Sequence, residues 1–229
     1  MITVTTVCWK RFEHFDEILR AWMDEEEVDQ IIVWDNSGSF KTDIPGVLVM
    51  SMSHNTNSKW RLMCAQLAKN DQVIIADDDF IPHRGIVKDL LRYYADDKIV
   101  GIMGKNFTGP TYYTSSTVHS SQIKKPVKID YLCSNLMMLH RKYCVRVDIR
   151  EIPTSLMIDW WLEHELEKEG VTCWVIPTNK WTMIAEGKYE FAQHLDPKMK
   201  EIREYYFKKW IKHENPPVPA ALRDKTKLT

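Results

Sequence analysis

A short apolar run that ends in three adjacent acids constrains the fold more than any other stretch of this chain. Residues 73–80 read VIIADDDF. Apolar residues in series, as at 73–76, are typical of a strand that is buried on both faces, as in a parallel or mixed sheet. Side chains that follow such a strand lie at the edge where open α/β sheets bind their ligands. The run therefore predicts an α/β fold with a ligand site at Asp77, Asp78 and Asp79.

The residue types alone allow two interpretations of this acid triplet. Adjacent carboxylates repel one another, and a divalent cation would offset that cost. Oxygen ligands suit Mg²⁺ or Mn²⁺, which usually take one or two carboxylates and leave other positions for substrate phosphates. A solvated acidic turn before a helix is the other interpretation, because Asp is also a favourable helix N-cap.

The order of predicted elements favours a mainly parallel sheet. Strands are predicted at 2–8, 31–34, 47–50, 73–76 and 99–103, with helices near 12–23, 57–69 and 82–94. Strands that alternate with helices indicate βαβ units. Pro82 is expected in the first turn of the third helix.

The second half is expected to complete one domain over residues 1–214. Residues 1–103 form its nucleotide-binding half and 104–195 its acceptor half, with a final helix at 196–213 and a tail at 215–229. Within the acceptor half, the polar stretch after Gly104 predicts a long loop or an exposed hairpin. Beyond it we predict a strand at 127–139, a helix at 158–169 closed by Gly170, and a strand at 171–176. The pair Asp196-Pro197 is typical of a helix start.

Composition and charge exclude several classes of protein. The chain has 229 residues, 44% of them hydrophobic, with a net charge of −1, so no overall field favours nucleic acid or anionic membrane. The start shows no signal-peptide pattern, and no apolar run is long enough to span a bilayer. Five cysteines without CxxC spacing predict buried thiols rather than disulfides or a zinc site. We expect a cytoplasmic protein.

Several side chains at predicted strand ends and one helix start are candidates for binding a nucleotide. Neither a GxGxxG loop nor a GxxxxGK[ST] loop is present, so phosphates must be met by a metal and by basic side chains. The candidate cations and hydrogen-bonding groups are Lys10, Arg11, Asp35, Asn36, Lys59 and Arg61. Each basic residue taken singly is also consistent with an ordinary solvated surface.

In this order, the features resemble the GT-A glycosyltransferases, most closely the exostosin-like and family 2 transferases. The resemblance extends over residues 1–180. It implies that the triplet is a DXD motif, in which Asp77 and Asp79 hold Mn²⁺ or Mg²⁺ and Asp78 helps to bind the donor. It also implies a nucleotide-diphosphate sugar as donor, with a UDP-sugar as the first expectation.

The same resemblance suggests where the acceptor binds. Residues 131–143 are similar to the acceptor-side strand of the family, and residues 158–163 are similar to its acidic helix. Asp159 is then the candidate catalytic acid or base, with Glu163 four residues later on the same helix face. A solvated charge stripe is the alternative for Glu163. His194 is a candidate third metal ligand, with a buried or capping histidine as the alternative.

Other functions and acceptors stay open. A haloacid-type phosphohydrolase also uses a DxD, although there it normally follows the first strand. A catalytically inactive binding module on the same scaffold is a further alternative. Glycan, lipid-linked and DNA acceptors all stay open, the last as a modified viral DNA base. A basic, aromatic surface for DNA could be formed by the final helix together with an upstream lysine group, through Arg203, Lys208, Lys209, Lys212, Lys124, Lys125 and Lys128. Packing of that helix's aromatic residues on the core is the other interpretation.

Overall fold

The computed structural model describes residues 1–56, 60–148, 158–184 and 198–212, together with residues 214 and 217. The strands are β1 Ile2–Cys8, β2 Val28–Asp35, β3 Val47–Ser51, β4 Gln72–Ala76, β5 Phe80–Pro82, β6 Lys98–Gly101, β7 Met103–Phe107, β8 Ser115–His119, β9 Val127–Ile129, β10 Tyr131–Leu132, β11 Leu136–His140, β12 Thr172–Val175 and β13 Trp181–Met183. The helices are α1 Phe15–Met23, α2 Arg61–Gln66, α3 Ile86–Tyr93, α4 Arg141–Val145, α5 Ile158–Glu167 and α6 Lys198–Tyr206.

A central eight-stranded sheet organises these elements. Its order is β3-β2-β1-β4-β11-β6-β12-β9. Neighbours from β3 to β4 are parallel, β11 is antiparallel to both β4 and β6, β12 is parallel to β6, and β9 is antiparallel at the edge. The mixed, mainly parallel sheet predicted from the sequence is therefore confirmed.

Two hydrophobic cores cover the two faces of this sheet. Val73 and Ile75 of β4 enter the core formed with α2, α5 and α6. Ile74 and Ala76 enter the core formed with α1 and α3. Alternate residues of one strand point to opposite faces, so both faces of β4 are buried, as its unbroken apolar run predicts.

The start of α3 corrects one prediction. Pro82 does not lie in the first helical turn; it ends β5, which pairs with β13. The helix begins at Ile86, after Gly85 in a left-handed conformation with φ of +89°. The carboxylate of Glu25 accepts the backbone N–H groups of Gly85 and Val87 there. Because this cap comes from a residue sixty positions away, the sequence near Pro82 carries no sign of it. The predicted helix start at Pro82 is therefore wrong.

The segment predicted as one strand over 127–139 is also different. It divides into β9, β10 and β11, because β10 joins a separate sheet of order β10-β7-β8. The polar stretch after Gly104 contributes the β7–β8 hairpin of that sheet, so the hairpin interpretation is the correct one. At the end of the chain, α6 continues as a π-helix at Phe207–Ile211. The predicted start at Asp196-Pro197 and nearly all of the tail lie outside the described residues.

Two smaller expectations have structural answers. All five cysteines are free, and Cys8, Cys64 and Cys144 are buried. Within the described ranges, no helix has both the length and the apolar character needed to cross a membrane.

Candidate active site

The acid triplet lies where the carboxyl ends of the parallel strands meet. Cys8 pairs with Asp35 and Asp35 with Ser51, so β1, β2 and β3 end side by side. β4 ends next to them, and the N–H of Asp77 donates to the carbonyl of Asn135 at 3.0 Å. Asp78 and Asp79 are buried. The sequence prediction of carboxylates at this edge therefore agrees with the topology.

Arg11 forms ion pairs with two of the three acids. Its Nη1 lies 2.6 Å from Asp78 Oδ1 and 2.7 Å from Asp79 Oδ2. The preceding residue, Lys10, has a left-handed backbone with φ of +66°, a conformation that non-glycine residues rarely adopt outside functional turns. This turn directs Arg11 back over the triplet, whereas Lys10 itself is exposed with its Nζ 4.3 Å from the ring of Trp9.

Arg61 neutralises the third acid and is the most central side chain of the site. It begins α2 and is buried. Its Nη1 pairs with Asp77, and its Nη2 donates to Ser134 Oγ at 2.7 Å. Burial lowers the pKa of Arg61, but Asp77 and then Asp159 act in the opposite direction, and the pKa is raised overall. Arg61 therefore stays charged and lies close to both acids.

Asp159 is held at the opposite side of Ser134. Its Oδ2 accepts the Tyr131 hydroxyl at 2.7 Å and the Ser134 N–H at 3.3 Å. Its Oδ1 accepts the N–H of Trp160 at 2.9 Å, at the start of α5. Asp77, Arg61, Ser134, Asp159 and Tyr131 thus form one connected hydrogen-bond network. The network joins the predicted donor side to the predicted acceptor side.

Ser134, like Tyr131, is a member of this network that sequence reasoning missed. It lies in the segment that resembles an acceptor-side strand, but residue type gave it no role. Its one signal was its position just before β11, which pairs with β4. A residue that precedes an antiparallel neighbour of the acid-ended strand must lie at the same edge as the acids.

The residue types of the triplet suit a hard divalent cation, but all three carboxylates pair with Arg11 or Arg61 in this structure. Burial raises the pKa of Asp78 to about 6, while Arg11 acts to lower it. Carboxylate oxygens of Asp77 and Asp79 are the ligands that Mg²⁺ and Mn²⁺ prefer, and substrate phosphates usually complete such a shell. In the described part of the chain, no cluster of three or more His, Cys, Asp or Glu side chains could hold a metal ion by itself. His194 lies outside the described residues.

Asp35 and Asn36 do lie at the same edge, but their polar atoms are used by neighbouring loops. Asp35 is fully buried, and its two oxygens accept from four donors in the loop and on β3, namely Ser37 N–H (2.8 Å), Ser37 Oγ (2.5 Å), Phe40 N–H (3.0 Å) and Ser51 Oγ (3.2 Å). Asn36 Oδ1 accepts the N–H and hydroxyl of Thr56. These two side chains therefore hold the loops that follow β2 and β3 in place. Lys59 lies outside the described residues.

We expect Asp35→Ala to destabilise the protein by about 3 kcal/mol, because it leaves the buried Phe40 N–H and the partly buried N–H and hydroxyl of Ser37 without their acceptor. Urea-induced unfolding measures this. Asp43→Ala is the matched control, since Asp43 is an exposed acid in the same connection. Equal stability of the two variants would show that the Asp35 network contributes little.

Glu163 lies one turn after Asp159 but is buried. Its Oε2 accepts the Leu132 N–H at 2.9 Å. Burial raises the pKa of Glu163 well above 4.5, the Leu132 N–H acts to lower it, and Asp159 raises it further. This shift favours the neutral acid, and the Glu163 side chain supports the β10 backbone beside Asp159. The charge-stripe interpretation does not describe it.

This raised pKa predicts a pH effect on stability. Between about pH 5 and pH 8 the unfolded state ionises Glu163 while the folded state resists ionisation, so the free energy of unfolding falls as pH rises. Glu163→Gln mimics the protonated acid, and we expect it to lose this part of the pH dependence. Unfolding curves of both proteins at the two pH values measure the difference. Glu167→Gln, an exposed change on the same helix, should behave like wild type; identical slopes for all three proteins would contradict the assignment.

The aromatic residues of the final helix pack on the core. Tyr206, Phe207 and Trp210 are buried, and Trp210 contacts Trp160 edge-on. The core-packing interpretation of this helix is therefore correct, and these rings are not available to stack on bases. Its basic residues Lys208, Lys209 and Lys212 are exposed, as are Lys124, Lys125 and Lys128, the last of which lies on β9, and Arg203 is partly exposed.

Comparison with known proteins supports the predicted fold class. No protein-family model and no curated protein sequence matches this chain. Among solved structures, S. aureus TarS 1–349, crystallised in complex with UDP-GlcNAc, matches with a TM-score of 0.54 at 13% sequence identity. The match covers 79% of this chain and 57% of that one, so this chain spans little more than half of TarS 1–349. At this identity the likeness concerns the fold, and it confirms the GT-A class predicted from the sequence.

Proposed function

We propose that this chain is a glycosyltransferase that takes a sugar from a nucleotide-diphosphate donor and uses a divalent cation. The observation that carries the proposal is the network from Asp77 through Arg61 and Ser134 to Asp159. It joins an acid- and arginine-lined strand edge to an oriented carboxylate, and a transfer reaction requires both. The TarS structure, which contains UDP-GlcNAc, supports a UDP-sugar as the first donor to test.

The donor would lie along the ends of β1, β2 and β4. The base and ribose would contact the loops after Cys8 and Asp35, whose shape depends on the buried Asp35 carboxylate. The diphosphate would lie near Arg11 and Arg61. These guanidinium groups pair with acids in the structure, and their forked donors also suit phosphate oxygens.

Asp77 and Asp79 would hold Mg²⁺ or Mn²⁺, which supplies positive charge where the leaving diphosphate becomes more negative. The protein's own contribution is preorganised charge. Arg61 is fixed by Asp77 and Ser134 before any substrate arrives, so little reorganisation is needed during the reaction.

Asp159 would act on the acceptor. The Tyr131 hydroxyl and the Ser134 N–H both donate to its Oδ2, so the carboxylate is held in a fixed orientation. In an inverting reaction it takes the proton of the acceptor hydroxyl as general base. In a retaining reaction it orients the acceptor or stabilises positive charge on the sugar ring.

A donor panel tests the proposal. The protein is incubated with UDP-, GDP-, dTDP- and ADP-sugars, and nucleotide release is followed with and without EDTA. We expect slow release from at least one donor, loss of that release with EDTA, and recovery with excess Mg²⁺ or Mn²⁺. Release of inorganic phosphate from p-nitrophenyl phosphate, with no sugar nucleotide consumed, would favour the phosphohydrolase instead. Turnover of neither class would favour the inactive binding module.

A further inference from the structure

Two cations approach the ring of one buried tyrosine beside the candidate active site. Lys105 Nζ lies 4.8 Å from the ring centroid of Tyr112, and the guanidinium carbon of Arg203 lies 5.4 Å from it. Lys105 belongs to β7 and Arg203 to α6, so distant parts of the chain bring them together. The N–H of Tyr112 donates to Glu204 Oε1 at 3.1 Å, which ties the β7–β8 loop to α6.

The charges of this pair are not balanced by an acid in the described part of the chain. Neither Lys105 nor Arg203 forms an ion pair there, whereas Arg11 and Arg61 both do. Both residues are only partly exposed. Burial lowers the pKa of Lys105, and Arg203 lowers it further. Both charges lie near the same ring and repel each other, so an anion that contacts both would stabilise them.

The cation pair faces the acceptor side of the network. Lys105 is directly opposite Tyr131 in the antiparallel β7–β10 ladder, and directly opposed side chains lie on the same face of a sheet. Tyr131 is the residue whose hydroxyl holds Asp159. The ring of Tyr112 also lies 5.4 Å from that of Trp160, the residue after Asp159.

We propose that Lys105 and Arg203 form a subsite for one phosphate group carried by the acceptor, with Tyr112 as its floor. This inference rests on the proposed function, because it describes the acceptor of that transfer. An arginine fork and a lysine point charge are a common combination for phosphate. A single group is favoured over a long polyanion because Tyr206, Phe207 and Trp210 on the same helical segment are buried and cannot stack on bases.

A phosphate titration tests the subsite without knowledge of the acceptor. ¹⁵N-labelled protein is saturated with UDP and Mg²⁺, and sodium phosphate is exchanged for sodium chloride at constant ionic strength. We expect saturable shifts of the amide signals of residues 105, 112 and 203. Lys105→Met and Arg203→Met keep the apolar stems, and each should weaken phosphate binding about tenfold or more.

Lys98→Met is the matched control. Lys98 also lies over an aromatic ring, that of Trp174 at 5.3 Å, but it starts β6 and is therefore at the opposite edge of the sheet. It should bind phosphate like wild type. Absence of shifts at residues 105, 112 and 203, or equal affinity in all three variants, would overturn the proposal.

A second arm uses a short single-stranded oligodeoxynucleotide in place of phosphate. Binding that both Met variants abolish would identify a nucleic-acid phosphate as the source of the group and support the subsite. Tight binding that survives both variants would overturn it in favour of a separate polyanion surface. UDP binding is followed in the same samples, so failure of the donor site is recorded separately from failure of the phosphate subsite.

Discussion

Replacing Asp159 by Asn should reduce donor turnover by about two to four orders of magnitude, the usual effect of a positioned acid–base group. The amide keeps an oxygen that can accept from Tyr131 and Ser134, so fold and donor affinity should be retained. What is lost is a negative charge and a proton acceptor. Nucleotide release from the best donor, measured at saturating concentration, gives the change in turnover.

Glu167→Gln serves as the control for this variant, because it removes an exposed carboxylate from the same helix. It should turn over the donor at the wild-type rate. Near-wild-type turnover by Asp159→Asn, with thermal stability unchanged, would remove Asp159 from the mechanism.

Replacing Arg61 by Met should cause the largest loss of stability, about 3–5 kcal/mol, as is typical when one partner of a buried ion pair is removed. Arg61 is buried, and the variant leaves Asp77 and Ser134 Oγ without their shared donor. Donor binding should fall as well, because the guanidinium lies at the edge where the diphosphate is proposed to bind. Urea-induced unfolding and donor titration measure the two effects.

A double variant separates the ion pair from simple packing. Asp77→Asn in the Arg61→Met background removes the uncompensated charge, so the double variant should be more stable than the sum of the two single effects predicts. Strict additivity would show that Arg61 stabilises the fold through packing alone. Lys88→Met, at an exposed ion pair with Glu26, should change stability little.

The sequence predicted those features of the fold that depend on local pattern. The apolar run at 73–76 requires burial on both faces, and the two cores confirm it. Gly170 follows the end of α5 and adopts a left-handed backbone with φ of +81°. Glycine is favoured there because it has no Cβ to clash. The start of α3 was not predictable, because its cap is the distant carboxylate of Glu25. The division of residues 127–139 depends on β10 joining a second sheet, which periodicity within one segment does not reveal.

In the candidate site, too, the residue types were predictable from the sequence, but their pairing partners were not. Residue type was enough to place Asp77, Asp78 and Asp79 at a sheet edge and Arg11 and Arg61 near them. Which arginine pairs with which acid depends on the left-handed turn at Lys10 and on where α2 begins. The use of Asp35 by its own loop depends on Phe40 and Ser51 folding back onto it. The proposed phosphate subsite depends on α6 lying against the β7–β8 loop, where Tyr112 and Glu204 are 92 positions apart.

The central claim is that a nucleotide diphosphate binds at the edge formed by Asp77, Asp79, Arg11 and Arg61. Calorimetric titration of UDP in the presence of Mg²⁺ tests it most directly, with wild type, Asp79→Asn and the Lys88→Met control. We expect binding by wild type and the control that EDTA weakens, and at least tenfold weaker binding by Asp79→Asn, in line with loss of one metal-ligand carboxylate. Tight UDP binding that neither EDTA nor Asp79→Asn changes would contradict the claim, as would the absence of binding by UDP and every other nucleoside diphosphate tested.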